Sequence, residues 1–123
     1  MNIKTSPRPV DDTVSRLRQL LDARGIRLFA VIDHSAEAEA VGLELRSTKV
    51  VLFGNPRAGT PVMAAAPLAA LDLPLKVLVW DDDGETRLAY TEPAELAARY
   101  GLTNELAAPL AAIDAITDTL IEQ

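Results

Sequence analysis

The chain has 123 residues, a formal net charge of −6 and an apolar fraction of 49%. This size and apolar content fit one domain with a single core, and they exclude a disordered chain. The acidic balance excludes a general nucleic-acid binder, which needs a cationic surface. Without cysteine, the chain has no disulfides, thiolate metal sites or thiol nucleophiles. One basic group is interpreted as a solvated helix face followed by a strand start: Arg16, Arg18, Arg24 and Arg27.

Neither a membrane span nor a secretory signal is predicted. No segment approaches the roughly 20 uncharged apolar residues that cross a bilayer. The longest candidate, Val62–Leu71, is short and is interrupted by Pro67. Residues 1–9 lack the apolar core of a signal peptide, so we expect a cytoplasmic protein that contacts no membrane.

The predicted elements of the first half alternate between strand and helix. They are a strand at 2–6, a helix at about 12–24, a strand at 26–33, a short helix at 36–41 and extended segments around 43–45 and 49–53. Helices are assigned from apolar residues three and four apart, and strands from short runs rich in β-branched residues. Asp11 or Asp12 is expected to cap the first helix, and Ser35 the second.

The second half is predicted to contain a hairpin between helical segments. Its elements are a helix at 61–71 interrupted near Pro67, strands at 75–81 and 86–91, a helix from Pro93 to about 100, and a C-terminal helix at about 104–121. Asp83-Gly84 favours a tight hairpin turn, which makes part of the sheet antiparallel. We therefore expect one α+β domain over 1–123, a two-layer sandwich with helices packed on a mixed, largely antiparallel sheet.

Three segments together resemble the domain of unknown function 302 family. They are Asp33-His34 followed by Ala38 and Gly42-Leu43, then Phe53-Gly54-Asn55-Pro56 followed by Gly59-Thr60, and finally Leu73-Pro74-Leu75-Lys76-Val77-Leu78-Val79-Trp80. The resemblance covers roughly residues 5–100. It implies a small α+β domain that tends to form homodimers, with no established activity and no agreed catalytic or cofactor residues. The cofactor, if any, is therefore unknown.

His34 is the only histidine, and it is predicted to follow a strand directly. Its neighbours Asp33 and Glu37 are positioned to orient an imidazole, which permits a hydrolase mechanism. A metal site with carboxylates is chemically possible, but a lone histidine is weak evidence for one. The alternative interpretation is structural, with His34 hydrogen-bonded to nearby backbone at the start of a helix.

The Gly-rich turn after the third predicted strand is the second candidate. Gly54 and Asn55 tolerate unusual backbone angles, and Thr60 is expected to cap a helix that begins at Pro61. The free N–H groups of such a helix start, together with Arg57, predict a site for a small anion. A tight turn without a ligand explains the same residues.

Two functions from different classes remain open at this point. The first is a non-enzymatic module that binds a ligand between His34 and the Gly54–Thr60 turn, or that acts as a dimeric interaction domain. The second is a hydrolase that uses His34 with Asp33 or Glu37. A purely structural dimer, formed through the helix at 105–121 or through the hairpin, is a third possibility.

Overall fold

A single five-stranded sheet forms one layer of the protein, whose computed structural model describes residues 1–123. The strands are β1 (Asn2–Ser6), β2 (Arg27–Asp33), β3 (Thr48–Gly54), β4 (Leu75–Asp82) and β5 (Glu85–Tyr90). They lie in the order β1-β5-β4-β3-β2, and every neighbouring pair is antiparallel. The predicted α+β sandwich is confirmed, with antiparallel pairing across the whole sheet.

Helices form the second layer. They are α1 (Val10–Ala23), α2 (His34–Ala40), α3 (Pro56–Ala65), α4 (Pro93–Tyr100), α5 (Asn104–Ala107) and α6 (Ala112–Leu120), with 3₁₀ turns at Pro67–Leu71 and Ala108–Ala111. None of these helices has the length and apolar character that a membrane span requires.

The core lies between one face of the sheet and helices α1 and α6. In α1 the buried apolar residues recur every three or four positions, and in the strands they alternate, because these are the periods of the two structures. The fully buried residues include Leu17 and Leu21 of α1, Val77 and Val79 of β4, and Ile116 of α6. The opposite face of the sheet carries no helix of this core.

Several basic residues hold the C-terminal end of α6. The Arg8 guanidinium donates to the backbone oxygens of Leu120 (2.9 Å) and Glu122 (2.8 Å). Arg16 donates to the oxygen of Thr119 (3.4 Å), and Arg24 reaches the Thr119 hydroxyl (3.3 Å). Cations at this end satisfy free carbonyls and complement the helix dipole. Arg24 is exposed, as the predicted solvated helix face requires, whereas Arg16 is half-buried against α6 and does not belong to that face.

Two helix boundaries differ from the sequence prediction because of proline. Helix α3 begins at Pro56, capped by Asn55, so Thr60 lies inside the helix and does not start it. The single helix expected over 104–121 is divided into α5, a 3₁₀ turn and α6. Pro109 lies in that turn, and a proline cannot donate the backbone hydrogen bond that a continuous α-helix needs.

The predicted hairpin is confirmed. Asp83 and Gly84, between β4 and β5, both have positive φ (53° and 92°), as the preferred two-residue turn of antiparallel hairpins requires. The predicted start of α1 was different, since Pro9 and not an aspartate occupies the capping position. Asp11 instead pairs with Lys49 of β3 at 2.7 Å.

Candidate functional site

The two sequence-predicted site groups lie at opposite ends of the β2–β3 pair. Asp33 pairs with Lys49, whereas Arg27 pairs with Gly54 six residues away. At a rise of about 3.3 Å per residue, the two groups are about 20 Å apart. The pocket expected between His34 and the Gly54–Thr60 turn is therefore not formed, because the C-terminal ends of two antiparallel strands lie at opposite ends of the pair.

The polar groups next to His34 are hydrogen-bonded or ion-paired to one another. Asp33 caps α2: its Oδ1 accepts from the Ser35 hydroxyl (2.5 Å) and the Ala36 N–H (3.0 Å). Its other oxygen lies 3.7 Å from Lys49 Nζ. These contacts, above all the Ser35 hydroxyl, hold the pKa of Asp33 below its usual value. The expected cap, Ser35, is thus replaced by Asp33, and α2 begins at His34.

The side chain of His34 makes no hydrogen bond in the structure. Its side chain and that of Glu37 are exposed, and the Asp33 carboxylate is occupied as a helix cap. A hydrolase would need an imidazole in a cleft with a carboxylate oriented toward it. The His34 corner supplies neither the cleft nor the oriented carboxylate.

At the other end of β3, Asn55 closes the start of α3. Its side-chain Oδ1 accepts from the Arg57 N–H, and its backbone oxygen accepts from the Ala58 and Gly59 N–H groups, each at 2.9 Å. Pro56 has no N–H to offer. The first turn of α3 therefore has no free backbone donor for the anion that the sequence predicted there.

Beside this turn lies a cavity of about 440 Å³, within the range of about 300–1,000 Å³ that is typical of small-molecule sites. The Gly54–Thr60 turn forms one wall, and the others come from β2, the segment before β4, and the C-terminal helices. Representative lining residues are Ile26, Phe29, Met63, Leu73, Leu110 and Ile116. None of the 17 lining residues carries a charged side chain.

Two glycines keep this space open. A Cβ at Gly59 would come only within 3.9 Å of the Met63 methyl carbon and 4.0 Å of Leu73 Cδ1. A Cβ at Gly54 would lie 3.7 Å from Pro74 and 3.8 Å from the Phe29 ring. Larger side chains at these positions would therefore project into the cavity and against its walls.

Polar groups are confined to a few positions of the cavity wall. Asn55 and Thr60 are the only lining residues with a hydrogen-bonding side chain. The Asn55 amide nitrogen and the Thr60 hydroxyl have no protein partner, since Asn55 uses only its oxygens at the helix start. The wall can thus offer one or two hydrogen bonds to an otherwise apolar ligand.

Of the predicted site residues, Gly54, Asn55 and Thr60 line this cavity, whereas Asp33 and His34 do not. Arg57 is exposed in the first turn of α3 and lies outside the lining. Sequence reasoning missed the apolar walls, which come from several distant segments. Phe29 lies at a β-bulge of β2 and is 44% exposed, but in the sequence it is an ordinary apolar strand residue.

Three curated relatives are each 37% identical to this chain over 101 residues. They are named fluoride-specific ion channel FluC 1 of Brucella suis, FluC 1 of Brucella abortus and FluC 2 of Brucella melitensis. The matches cover 80% of this chain and 37–40% of those proteins. The chain therefore spans about two fifths of the length of the curated relatives it matches.

A solved structure and a family description agree on the fold. The crystal structure of an uncharacterized conserved DUF302 protein from Bacillus stearothermophilus superimposes with a TM-score of 0.80 and 18% identity, over 98% of this chain and 94% of that one. The family described as domain of unknown function DUF302 matches residues 2–120. The chain therefore belongs to the domain of unknown function 302 family.

Proposed function

We propose that this domain is a non-enzymatic module that binds a small, mainly apolar molecule in the cavity beside the Gly54–Thr60 turn. The observation that carries the proposal is the cavity itself, about 440 Å³ in volume and lined without a single charged side chain. A pocket of this size with few, convergent polar groups is the usual form of a small-molecule site.

The same geometry argues against a small-anion ligand and against a His34 hydrolase, both of which were considered from the sequence. A small inorganic anion would find no charged side chain in the lining and no free N–H at the start of α3. A hydrolase based on His34 would lack an oriented carboxylate, because Asp33 is committed to capping α2. Apolar binding is the function that this arrangement of residues supports best.

The proposal is tested with N-phenyl-1-naphthylamine, an uncharged probe that fluoresces in apolar surroundings. We expect saturable binding to the wild-type protein. Gly59→Leu places a side chain toward Met63 and Leu73, and it should weaken binding at least tenfold by filling the cavity. Ala64→Leu adds similar bulk at an exposed position of α3 outside the lining, so it should bind as the wild type does.

Two results would contradict the proposal. The first is the absence of saturable binding by the wild-type protein. The second is equal binding by the wild type and Gly59→Leu, provided that circular dichroism shows both proteins folded. Loss of binding in Gly59→Leu but not in Ala64→Leu would support the cavity as the site.

A second candidate function, homodimer formation, is supported by the uncovered face of the sheet. One register row crosses all five strands with apolar residues only: Ile3, Ala89, Leu78, Val50 and Ile32. Ile3 is 56% and Ile32 41% exposed. A solvated face of an antiparallel sheet is normally polar, so this row is unusual in a single copy.

A second copy of the chain is the occupant that we propose for this face. A two-fold interface brings the same surface of each copy together, and an apolar row is complementary to itself. Of the cations on this face, Arg87 is already bound to Asp82 and Glu85, whereas the exposed Lys76 donates only to the Pro74 backbone oxygen (3.3 Å) and would have to stay solvated at the margin of the interface. Five strands about 4.8 Å apart and about 20 Å long give a face of about 400 Å² per copy, about half of what a standard interface buries on each partner, so we expect a weak dimer.

Sedimentation velocity over a range of protein concentrations tests the dimer. We expect a concentration-dependent dimer that is lost in Ile3→Glu and Ile32→Glu, whose exposed side chains leave the core intact. Leu71→Glu changes a residue that is 78% exposed on the 3₁₀ turn, away from the sheet, and should still dimerise. A strict monomer, or a dimer unaffected by both sheet substitutions, would contradict the assignment.

The fluoride-channel activity in the names of the Brucella relatives is not proposed for this chain, because the match covers only 37–40% of those proteins. A cytoplasmic location is retained as proposed from the sequence, and fractionation of the native host with an antibody to this chain would test it.

A further inference from the structure

We infer that the molecule bound in the cavity is an amphiphilic organic anion, with an apolar body inside and a carboxylate or similar head group at the rim near Arg27 and Arg57. The inference rests on the proposed function and specifies the class of ligand. It differs from the small anion predicted from the sequence, because here the charge lies outside the cavity and the apolar body supplies most of the contact.

The interior of the cavity determines the polarity of the part of the ligand that enters it. Phe53, Leu75 and Ile116 at its inner wall are buried apolar residues, and no charged side chain lines any part of it. A charged group placed there would lose its hydration without gaining a counter-ion, which is strongly unfavourable. The part of the ligand that enters must therefore be uncharged and largely apolar.

The rim near β2 carries an unpaired cation. Arg27 is exposed, and its guanidinium carbon lies 5.0 Å from the centroid of the Phe29 ring, which is itself part of the cavity wall. The Arg27 backbone pairs with Gly54, another lining residue. The guanidinium makes no ion pair and no hydrogen bond within the protein, so its donors are available to a head group at this edge.

The start of α3 brings a second unpaired cation to the same end of the sheet. Arg57 is exposed, forms no ion pair, and lies two residues after Asn55, which lines the cavity.

No free carboxylate competes with these cations near the Leu73 wall. The acidic residue nearest to it in sequence is Asp72, which already contacts Arg99 (2.8 Å) and the Tyr100 hydroxyl.

Four arginines, Arg18, Arg27, Arg46 and Arg57, have guanidinium groups without an ion pair or hydrogen bond, and of these only Arg27 and Arg57 adjoin a lining residue in the sequence. Guanidinium groups bind carboxylates through paired, charge-assisted hydrogen bonds, which are stronger than neutral ones. A positively charged amphiphile would meet two like charges at this rim, and no acidic residue among the lining groups would attract it. The charge pattern therefore favours an anionic head group.

Three ten-carbon probes with different head groups test the inference: decanoate, decanol and decylammonium. Each is titrated at pH 7.5 against the protein loaded with N-phenyl-1-naphthylamine. We expect decanoate to displace the dye about tenfold more tightly than decanol, as one charge-assisted contact at a solvated rim would give. Decylammonium should be the weakest of the three.

Variants of Arg27 and Arg57 then test whether these two residues cause the preference for decanoate. Arg27→Gln and Arg57→Gln together should reduce the advantage of decanoate over decanol to less than twofold. Arg27→Lys should retain part of the advantage of decanoate over decanol, because the charge remains but the planar pair of donors is lost. Arg18→Gln removes an exposed arginine of α1 far from the lining and is the matched control.

The outcomes separate the two proposals. If the dye does not bind, the proposed function fails and the inference fails with it. If the dye binds but decanoate and decanol displace it equally, or decylammonium does so best, the cavity stands and the anionic head group is wrong. A decanoate preference that survives the double glutamine variant would also overturn the assignment to Arg27 and Arg57.

Discussion

The two ends of the β2–β3 pair carry similar residue types but have opposite surroundings. At the His34 end, Asp33 caps α2 and contacts Lys49, and Ser35 accepts a hydrogen bond from the Thr48 N–H (3.2 Å). At the Gly54 end, Asn55 also caps a helix, yet the adjoining segments leave a cavity of about 440 Å³. Both ends look like polar turns in the sequence, and of the two only the Gly54 end lines the apolar cavity.

Polar residues at the ends of these strands first satisfy backbone groups. Each turn leaves helix N–H groups that need acceptors, and Asp33 and Asn55 supply them at the two ends. A binding site needs something additional, namely space that the packing does not fill. That space depends on small residues such as Gly59 and on how distant segments meet around it.

The free energy of unfolding should depend strongly on the cavity wall and hardly at all on the His34 corner. Ile116 is fully buried and lies in both the core and the cavity wall, so Ile116→Ala should lower the free energy of unfolding by about 2–5 kcal/mol. His34→Ala removes an exposed side chain without partners and should change it by less than about 0.5 kcal/mol. Urea denaturation of both variants measures the free energy of unfolding. A loss of more than about 1 kcal/mol in His34→Ala would contradict the expected difference between the two regions.

A smaller loss is expected from the helix cap at Asp33. Asp33→Ala removes the acceptor of the Ala36 N–H and should destabilise the protein by about 1 kcal/mol. Asp22→Ala, at an exposed position on α1, is the control and should have little effect. Dye binding should be unchanged in both variants, because neither residue lines the cavity. A binding defect in folded Asp33→Ala would show that the two ends are coupled.

A gain in stability is expected at Gly59. A Cβ at this position would make only ordinary contacts, and the residue lies inside α3, so Gly59→Ala should stabilise the protein by about 0.4–1 kcal/mol. The added methyl group should weaken dye binding slightly, and far less than Gly59→Leu does. Thermal unfolding measures the first effect and fluorescence titration the second. Destabilisation by alanine would mean that the wall is tighter than the structure shows.

The smallest expected effect is a pH dependence at Asp33. Because its pKa is lower in the folded protein than its ordinary value of 3.8, the carboxylate contributes stability above that pH and loses it as the pH falls through the folded pKa. Asp33→Asn keeps a capping oxygen but cannot titrate. The stability difference between wild type and Asp33→Asn should therefore shrink below about pH 4. A difference that stays constant down to about pH 2 would contradict this role.

The sequence was sufficient for the strands and the hairpin, because their signals are local. Alternating apolar residues and the Asp83-Gly84 turn place β4 and β5 within one residue of their observed bounds. The helices were predicted less well where proline decides the boundary. Pro56 starts α3 four residues before Thr60, and Pro109 breaks a helix that the apolar spacing alone would continue.

The candidate site could be predicted only in part, for a geometric reason. Gly54, Asn55 and Thr60 belong to one turn and were recognisable together. Their partners Phe29 and Ile116 lie far away in sequence and are ordinary apolar residues, so nothing local marks them as cavity walls. The direction of strand pairing, which separates His34 from the turn, was also not determined by local patterns.

Binding in the cavity is tested most directly by titrating the ¹⁵N-labelled protein with N-phenyl-1-naphthylamine and recording two-dimensional NMR spectra. If the cavity is the binding site, the largest amide shift changes should fall on residues 53–63 and 109–116, while His34 and α2 remain unaffected. Shift changes centred on His34, or none at saturating dye, would contradict the account.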